Sequence, residues 1–105
     1  LTAASLAARC DLTIDDIEDL RLALDEACAL LLPSASAGSS LDAHFELARG
    51  QLSVTATITT TSRAGPDRDS FAWTVLSALA TSVAVDGSDT HLSITVIKRR
   101  EAATR

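Results

Sequence analysis

Residues 13–33, TIDDIEDLRLALDEACALLLP, contain the pattern that decides the fold. Hydrophobic residues recur there at intervals of three and four, which predicts a helix with one apolar face. Thr13 followed by Asp16 predicts a capping box at its start, and Pro33, which has no backbone N–H, predicts its end. The helix is therefore expected over residues 14–32. Its apolar face consists of Ile14, Ile17, Leu20, Leu24, Cys28 and Leu31.

The rest of the sequence predicts two more helices and two pairs of strands. An Ala- and Leu-rich segment, residues 1–9, predicts the end of a helix, and alternating apolar residues predict half-buried strands over 41–48 and 52–59. Asp86-Gly87 predicts a turn between a short strand at 82–85 and a long one at 91–98. Ser70 is expected to begin the third helix, whose buried side comprises Phe71, Val75, Leu76, Leu79 and Val83.

This order of elements is typical of an α+β fold, a two-layer sandwich with helices on one face of an antiparallel or mixed sheet. A chain of 105 residues is long enough for one core and too short for two, so one domain is expected over residues 1–105. Apolar residues make up 47% and charged residues 22%, which is a globular composition. The chain begins at Leu1 rather than at a methionine, so upstream residues are expected to be missing.

Charge and composition disfavour several classes of function. The net charge of −5 disfavours nucleic acid as a partner, and the basic cluster 98–100 is interpreted as a solvated strand end. The sequence contains no stretch of membrane-span length and no signal peptide, so a cytoplasmic protein is expected. Cys10 and Cys28 are interpreted as reduced thiols, Cys28 as a small core residue. His44 and His91 have no ligand-spaced neighbours, so no metal site is expected.

One carboxylate, Glu26, stands in an unusual place. It lies directly before residues 27–32, which are entirely apolar. A glutamate at the edge of such a segment is either a solvated side chain beside the core or part of a site, because this residue type is rarely buried without a role. The residues alone leave both interpretations open.

The stretch DLRLALDEAC, residues 19–28, resembles the N-box helix of the anti-sigma-factor serine kinases. These form the RsbW- and SpoIIAB-like branch of the GHKL ATPase superfamily. In that family a glutamate is the catalytic base, and an asparagine four residues later ligates the magnesium ion of ATP. Glu26 matches the glutamate. Leu30 stands at the asparagine position and has no oxygen to offer a hard cation.

The resemblance extends over nearly the whole chain. The order of helices and strands is that of the family once its N-terminal strand and the start of its first helix are removed, so this strand is expected to be missing. Within the family, the chain is most similar to the actinobacterial anti-sigma-F factors of the mycobacterial UsfX type. These also carry an aromatic segment like Ser70-Phe71-Ala72-Trp73.

The nucleotide-binding motifs of the family are missing from the sequence. Relatives have an Asp-x-Gly-x-Gly motif and a later Gly-x-Gly motif, whereas residues 60–69 here contain one glycine, Gly65, followed by proline. Asp67 and Asp69 are interpreted as loop and cap residues rather than as adenine ligands. Glu26 is therefore predicted to be vestigial, with no cofactor where the family uses Mg-ATP, and no kinase activity is expected.

The resemblance implies an anti-sigma factor that sequesters an alternative sigma factor as a homodimer. A STAS-type anti-anti-sigma protein would release it. Ser5 and Arg9 on the first helix are the candidate partner-binding residues, and Trp73 is either a further anchor or an ordinary packing residue. Two alternatives are an active serine kinase that phosphorylates its STAS antagonist with Glu26 as the base, and a regulatory or dimerisation module of a larger sensor protein.

Overall fold

The computed structural model describes residues 3–61 and 65–100. These residues form three α-helices on one face of a four-stranded sheet, which confirms the α+β two-layer sandwich. All strand pairs in the described part are antiparallel, and their order is β1-β2-β4-β3. The elements are α1 (Ala3–Cys10), α2 (Ile14–Leu31), a 3₁₀ turn (Leu32–Ser34), β1 (Leu41–Ala48), β2 (Gln51–Thr59), α3 (Phe71–Leu79), β3 (Ser82–Gly87) and β4 (His91–Arg99).

The two faces of the sheet differ in chemistry. On the helix side, the central strands β2 and β4 contribute a continuous buried surface, which consists of Leu52, Val54, Ala56, Ile58, Leu92, Ile94 and Val96. On the other side, Thr55 and Thr95 share a hydrogen bond of 2.9 Å, and Thr57 and Ser93 share one of 2.7 Å. The sheet thus has one apolar face and one hydroxyl-rich face.

Helix α2 begins and ends close to the predicted positions. Its first turn contains the predicted capping box, because Thr13 Oγ1 accepts the Asp16 N–H at 3.0 Å and Asp16 Oδ2 accepts the Thr13 N–H at 3.2 Å. The helix ends at Leu31, the C-cap residue Leu32 still donates its N–H to the Cys28 carbonyl, and Pro33 lies within the following 3₁₀ turn. The capping box therefore fixes where α2 starts, and the proline limits its length.

The buried face of α2 is rotated from the predicted one. The buried residues are Ile17, Leu20, Ala23, Ala27 and Leu31. The prediction is wrong for Ile14, which is 55% exposed, and Cys28 is only half-buried. Two fully buried alanines stand at the centre of the face instead, since their small side chains let α2 lie close to the sheet. The periodicity predicted the position of the helix correctly. The buried face was predicted wrongly because the large side chains were assumed to be the buried ones and the alanines were left out.

Strand β1 lies beyond the edge of the helical layer. It was predicted to be half-buried, but only Leu41 is partly covered, and Phe45 and Leu47 remain 46% and 43% exposed. The prediction is wrong because α2 packs over β2 and β4, while the short helix α1 is the one that reaches β1. The apolar alternation of β1 therefore marks the correct face but not a buried one.

Helix α3 and the last turn also differ from the predictions. Of the residues expected to be buried on α3, Leu76 alone is fully buried, Phe71 is 82% exposed and Val83 belongs to β3. The helix lies mainly against α2, so only one narrow side of it is covered. The predicted turn at Asp86-Gly87 is part of β3, since these residues pair with β4, and the chain reverses over residues 88–90.

Three segments that are distant in sequence meet at the corner between α1 and α2. Asp11 adopts a left-handed backbone conformation, with φ of 57°, and its carboxylate pairs with Arg100 beyond β4. The Gly50 N–H, in the β1–β2 turn, donates to the Cys10 carbonyl, and the Arg100 N–H donates to the Gly50 carbonyl at 2.7 Å. Gly50 itself has φ of 74°, which favours glycine. The end of α1 is thus tied to the hairpin and to the end of β4.

The capping box predicts a specific loss of stability. Thr13→Ala should lower the free energy of unfolding by about 1 kcal/mol, since it leaves an N-terminal amide of α2 without its acceptor. Thr13→Asn keeps an acceptor at the cap and should unfold at nearly the wild-type urea concentration. Equal midpoints for the alanine variant and the wild type would contradict this role of Thr13.

The two free thiols should differ in reactivity. Cys10 is fully buried and Cys28 half-buried. Burial raises the pKa of the Cys10 thiol despite the opposing charge of Arg9, and burial followed by the charge of Asp25 raises the pKa of Cys28. Both are therefore protonated at neutral pH, and a thiol reagent should modify Cys28 first and Cys10 only when the fold opens. A Cys28→Ser variant should show the slow phase alone, and fast modification of Cys10 in it would contradict the burial.

Candidate functional site

Glu26, the carboxylate singled out by its sequence context, lies on the side of α2 that faces α3. At helical spacing it shares this side with Asp19, seven residues before it, and Leu30, four residues after it. Its side chain is partly buried, and among residues 3–61 and 65–100 it has no hydrogen-bond or ion-pair partner. In the described part of the chain, Glu26 therefore lies beside apolar residues without a basic side chain that fixes its position, unlike Asp19 on the same side.

The surroundings of Glu26 do not fit a magnesium nucleotide. Leu30 is partly buried and packs against the core, so the position one turn beyond the carboxylate is occupied by hydrocarbon. In the described part of the chain, no three side chains of His, Cys, Asp or Glu lie close enough to hold a metal ion. Within the described ranges, the surroundings of Glu26 therefore lack the cluster of ligands that would hold the cation of a magnesium nucleotide.

The start of α3 is also occupied by its own side chains. Ser70 Oγ accepts the Trp73 N–H at 3.1 Å and donates to the Asp67 carbonyl at 2.7 Å. Asp67 Oδ1 accepts the Asp69 N–H at 2.9 Å, which confirms the loop role of Asp67. The cap thus uses an amide that a phosphate-binding helix would leave available. Residues 62–64 of the predicted loop lie outside the described residues.

Lys98 connects the side of α2 that carries Glu26 to α3 and the sheet. Its Nζ donates to Asp19 Oδ2 at 3.2 Å and to the Leu79 carbonyl at 2.9 Å, and its side chain is only 16% exposed. The interpretation of residues 98–100 as a solvated strand end is therefore wrong for Lys98, because its side chain points to the helix side of β4. Arg99 and Arg100 are exposed, as expected.

The predicted partner-binding residues lie on two separate surfaces. Ser5 and Arg9 are both exposed and, four residues apart, share the outer side of α1. Helix α1 packs mainly against α2 and β1, whereas α3, which carries Trp73, packs mainly against α2 and β3. The structure thus brings Ser5 and Arg9 together and leaves Trp73 apart from them.

The aromatic residues of α3 differ in exposure. Trp73 is half-buried and packs against the core, and the Arg68 guanidinium lies 4.9 Å from the centre of its ring. Phe71 is 82% exposed, which makes it the aromatic residue more available to a partner. The sequence contained a signal for this: residues five apart on a helix point about 140° away from each other, so Phe71 cannot share a face with Leu76.

Two cavities lie away from Glu26. The first, about 240 Å³, is apolar and is lined by Leu6, Ile17, Glu18, Leu20, Arg21, Leu24, Phe45, Leu52 and Val54, between the first two helices and the β1–β2 hairpin. The second, about 340 Å³, is more polar and lies at the β3–β4 turn, lined by Gly65, Val85, Gly87, Ser88, Asp89, His91 and Leu92. Neither includes a residue of the side of α2 that carries Glu26.

Curated proteins include relatives of this chain. No family model matches the chain. The chain is similar to the anti-sigma-F factor RsbW of Mycobacterium tuberculosis. The identity is 32% over 102 residues, which covers 90% of this chain and 61% of the relative, in both strain CDC 1551 / Oshkosh and strain ATCC 25618 / H37Rv. The chain therefore spans less than two thirds of the length of these curated relatives.

One further finding concerns membranes. Within the described ranges, 3–61 and 65–100, no helix combines the length and the apolar content that crossing a bilayer requires.

The contacts of Lys98 predict that removing its charge lowers the free energy of unfolding. Lys98→Met keeps most of the aliphatic stem but leaves the Leu79 carbonyl and Asp19 without their donor, so the free energy of unfolding should fall by roughly 1–2 kcal/mol. Arg99→Met, which removes an exposed bond to Gln51, should cost less than half as much. Chemical denaturation of both variants measures this, and equal losses would show that the burial of Lys98 adds nothing.

Proposed function

We propose that this chain is an anti-sigma factor domain of the RsbW-like branch, and that it binds and sequesters an alternative sigma factor. The observation that carries the proposal is the 32% identity to an anti-sigma-F factor over 90% of the chain. The α+β sandwich agrees with the fold that this resemblance implies. Among sigma factors, the name of the relative makes a sigma-F protein the first partner to test.

The proposed activity is binding without phosphoryl transfer. Glu26 remains where a catalytic base would stand, but Leu30 offers no oxygen to a metal ion, and Ser70 occupies an amide at the start of α3 that a phosphate could otherwise bind. A kinase acting on a STAS antagonist would need those groups, since positioning and charge neutralisation supply most of the catalysis in phosphoryl transfer. In the proposed function, release of the sigma factor thus depends on competition by a STAS-type protein in the cytoplasm.

Two surfaces are the proposed sites of contact with proteins. The outer side of α1, with Ser5 and Arg9, presents an exposed polar and cationic surface. The start of α3 presents Phe71, and next to it the partly covered Trp73 beneath Arg68. Exposed aromatic and arginine side chains are the residue types that most often dominate binding energy. A homodimer, as the resemblance implies, would present each of these surfaces twice.

The absence of a nucleotide role is tested first by calorimetric titration of the protein with Mg-ATP. We expect no measurable heat at high protein concentration, because Leu30 cannot ligate the cation. Leu30→Asn is the informative companion variant, since it restores an oxygen four residues after Glu26. Micromolar binding by the wild-type chain would contradict the loss of the site and favour the kinase, which a Glu26→Ala variant would then test for phosphoryl transfer.

The binding surfaces are tested with a purified sigma-F protein. Arg9→Ala and Phe71→Ala should each weaken the complex at least tenfold, measured by surface plasmon resonance, if their surfaces form its contacts. Arg49→Ala, at the exposed β1–β2 turn, is the matched control and should leave affinity unchanged. Binding that none of the variants affects would place the contact elsewhere. No binding of sigma-F at all would favour the alternative of a regulatory module in a larger sensor.

A further inference from the structure

Four carboxylates of α2 are half-buried, and Glu26 is the one without a partner in the described part of the chain. The other three accept hydrogen bonds, in the pairs Thr13–Asp16, Arg21–Glu18 and Lys98–Asp19. Each of those bonds caps α2, links two of its turns or joins it to β4. Contacts within the fold therefore account for three of the carboxylates and leave Glu26 unexplained.

Helices α2 and α3 lie side by side and run in opposite directions. α2 starts at the corner that contains Gly50, and the segment after it reaches the end of β2, where the Ser36 N–H donates to the Thr59 carbonyl at 2.8 Å. α3 follows the loop after β2 and runs back. It ends beside Thr81, whose N–H donates at 2.8 Å to the Ile97 carbonyl near the end of β4.

Lys98 fixes how the two helices are aligned. Its Nζ donates to both Asp19 and the Leu79 carbonyl, so these two positions are roughly level. Glu26 follows Asp19 by seven residues and Phe71 precedes Leu79 by eight, which is about 10.5 Å and about 12 Å along the two axes. Glu26 on α2 and Phe71 on α3 therefore lie at nearly the same height.

Each helix adds an apolar residue one turn away. Leu22 precedes Glu26 by four residues and Val75 follows Phe71 by four, so each pair shares one side of its helix. Leu22 is 45% exposed, Phe71 is 82% exposed and Val75 is half-buried. We call these four residues the α2–α3 surface. It consists of one unpaired carboxylate among accessible apolar side chains.

The α2–α3 surface lies away from α1. Leu24 lines the apolar cavity together with Leu6 of α1. Glu26 follows Leu24 by two residues, so the two side chains point about 160° apart around the helix axis. Helix α1 therefore covers the other side of α2.

We propose that the α2–α3 surface binds a basic side chain of the sigma factor, an arginine or lysine set among apolar residues, and that Glu26 pairs with its charge. The inference rests on the proposed function for the identity of the partner. It assigns Glu26 a role in binding that depends neither on a metal ion nor on a nucleotide.

The chemistry of the surface selects a cation. A half-buried carboxylate attracts a positive charge more strongly than one in open water, because solvent screens it less. The ring of Phe71 can face the same cation, since aromatic rings attract guanidinium and ammonium groups. Leu22 and Val75 can pack against its methylene stem. An acidic or purely apolar segment would bury Glu26 without neutralising it, which is costly.

The neighbouring cations of the described chain are bonded elsewhere. Lys98 is held by Asp19 and the Leu79 carbonyl, and the Arg68 guanidinium lies 4.9 Å from the centre of the Trp73 ring. Neither forms an ion pair with Glu26. In a chain with a net charge of −5, a basic side chain from another protein is the complementary group.

The first test measures the affinity of a purified sigma-F protein by surface plasmon resonance at several salt concentrations. Glu26→Gln keeps the shape of the side chain and removes its charge. It should weaken the complex about tenfold or more and make the affinity less dependent on salt. Asp25→Asn is the matched control, since it removes a charge from the adjacent, exposed position of α2 and should change the affinity less than about twofold.

Circular dichroism of both variants confirms that they fold. Sigma-F affinity unchanged by Glu26→Gln, or lowered equally by Asp25→Asn, would overturn the proposal.

A double variant tests whether Glu26 and Phe71 contact the same residue of the partner. Glu26→Gln combined with Phe71→Ala should weaken binding by less than the product of the two separate factors, because one partner side chain interacts with both. A combined loss equal to that product would contradict a shared contact and with it the proposal.

A third measurement does not need the sigma factor. The probe is the peptide acetyl-Leu-Arg-Leu-amide, titrated to millimolar concentration into the isotope-labelled chain and followed by NMR. We expect shifts of the backbone amide signals of Leu22, Glu26, Phe71 and Val75, which Glu26→Gln abolishes. The matched peptide acetyl-Leu-Glu-Leu-amide should not produce them. Absence of these shifts, or the same shifts with the acidic peptide, would overturn the proposal.

The outcomes separate the site from the proposed function. A chain that binds the arginine peptide at the α2–α3 surface but does not bind sigma-F would refute the proposed partner and leave the site standing. A chain that binds sigma-F equally well with Glu26→Gln would refute the site and leave the function standing.

Discussion

The close approach of α2 to the sheet is the constraint on which the rest of the structure depends. Ala23 and Ala27 are fully buried at the centre of its packed face, and their size lets the helix lie directly over β2 and β4. Larger residues at these positions would force the layers apart, because protein interiors are close-packed and overpacking strains the surrounding structure. The position of α2 then determines where Glu26 points, where α3 can pack and why β1 remains uncovered.

The same helix also joins the elements around Glu26. The side of α2 toward α3 carries Asp19, Glu26 and Leu30 along one line. Asp19 is held by Lys98, which also caps the end of α3 at the Leu79 carbonyl, so part of this side serves to join the elements. Leu30 packs on the core and contributes to stability where an amide would offer a ligand. A hydrophobic residue at position 30 is thus compatible with the fold.

The sequence predicted the elements well because the signals for them are local. The capping box at Thr13 and the helix start at Ser70 each depend on residues within one helical turn. Burial is not local, so Ile14, Phe71 and β1 were misjudged: hydrophobic pattern shows which side a residue faces but not whether another element covers it. Lys98 was missed for the same reason, since its partners lie on α2 and α3. At the candidate site, spacing alone left the role of Glu26 open. The resemblance identified Glu26 as the counterpart of a catalytic base and Leu30 as the counterpart of a metal ligand.

The hydroxyl-rich face of the sheet limits how this molecule can associate. Thr55, Thr95, Thr57 and Ser93 already satisfy one another in pairs, and their remaining hydrogen-bonding capacity is directed to water. A second sheet stacked on this face would displace that water without removing much hydrocarbon from solvent, so stacking brings little hydrophobic gain. Association by stacking a second sheet on the hydroxyl-rich face is therefore disfavoured. The paired hydroxyls thus leave face-to-face stacking of two copies with little driving force.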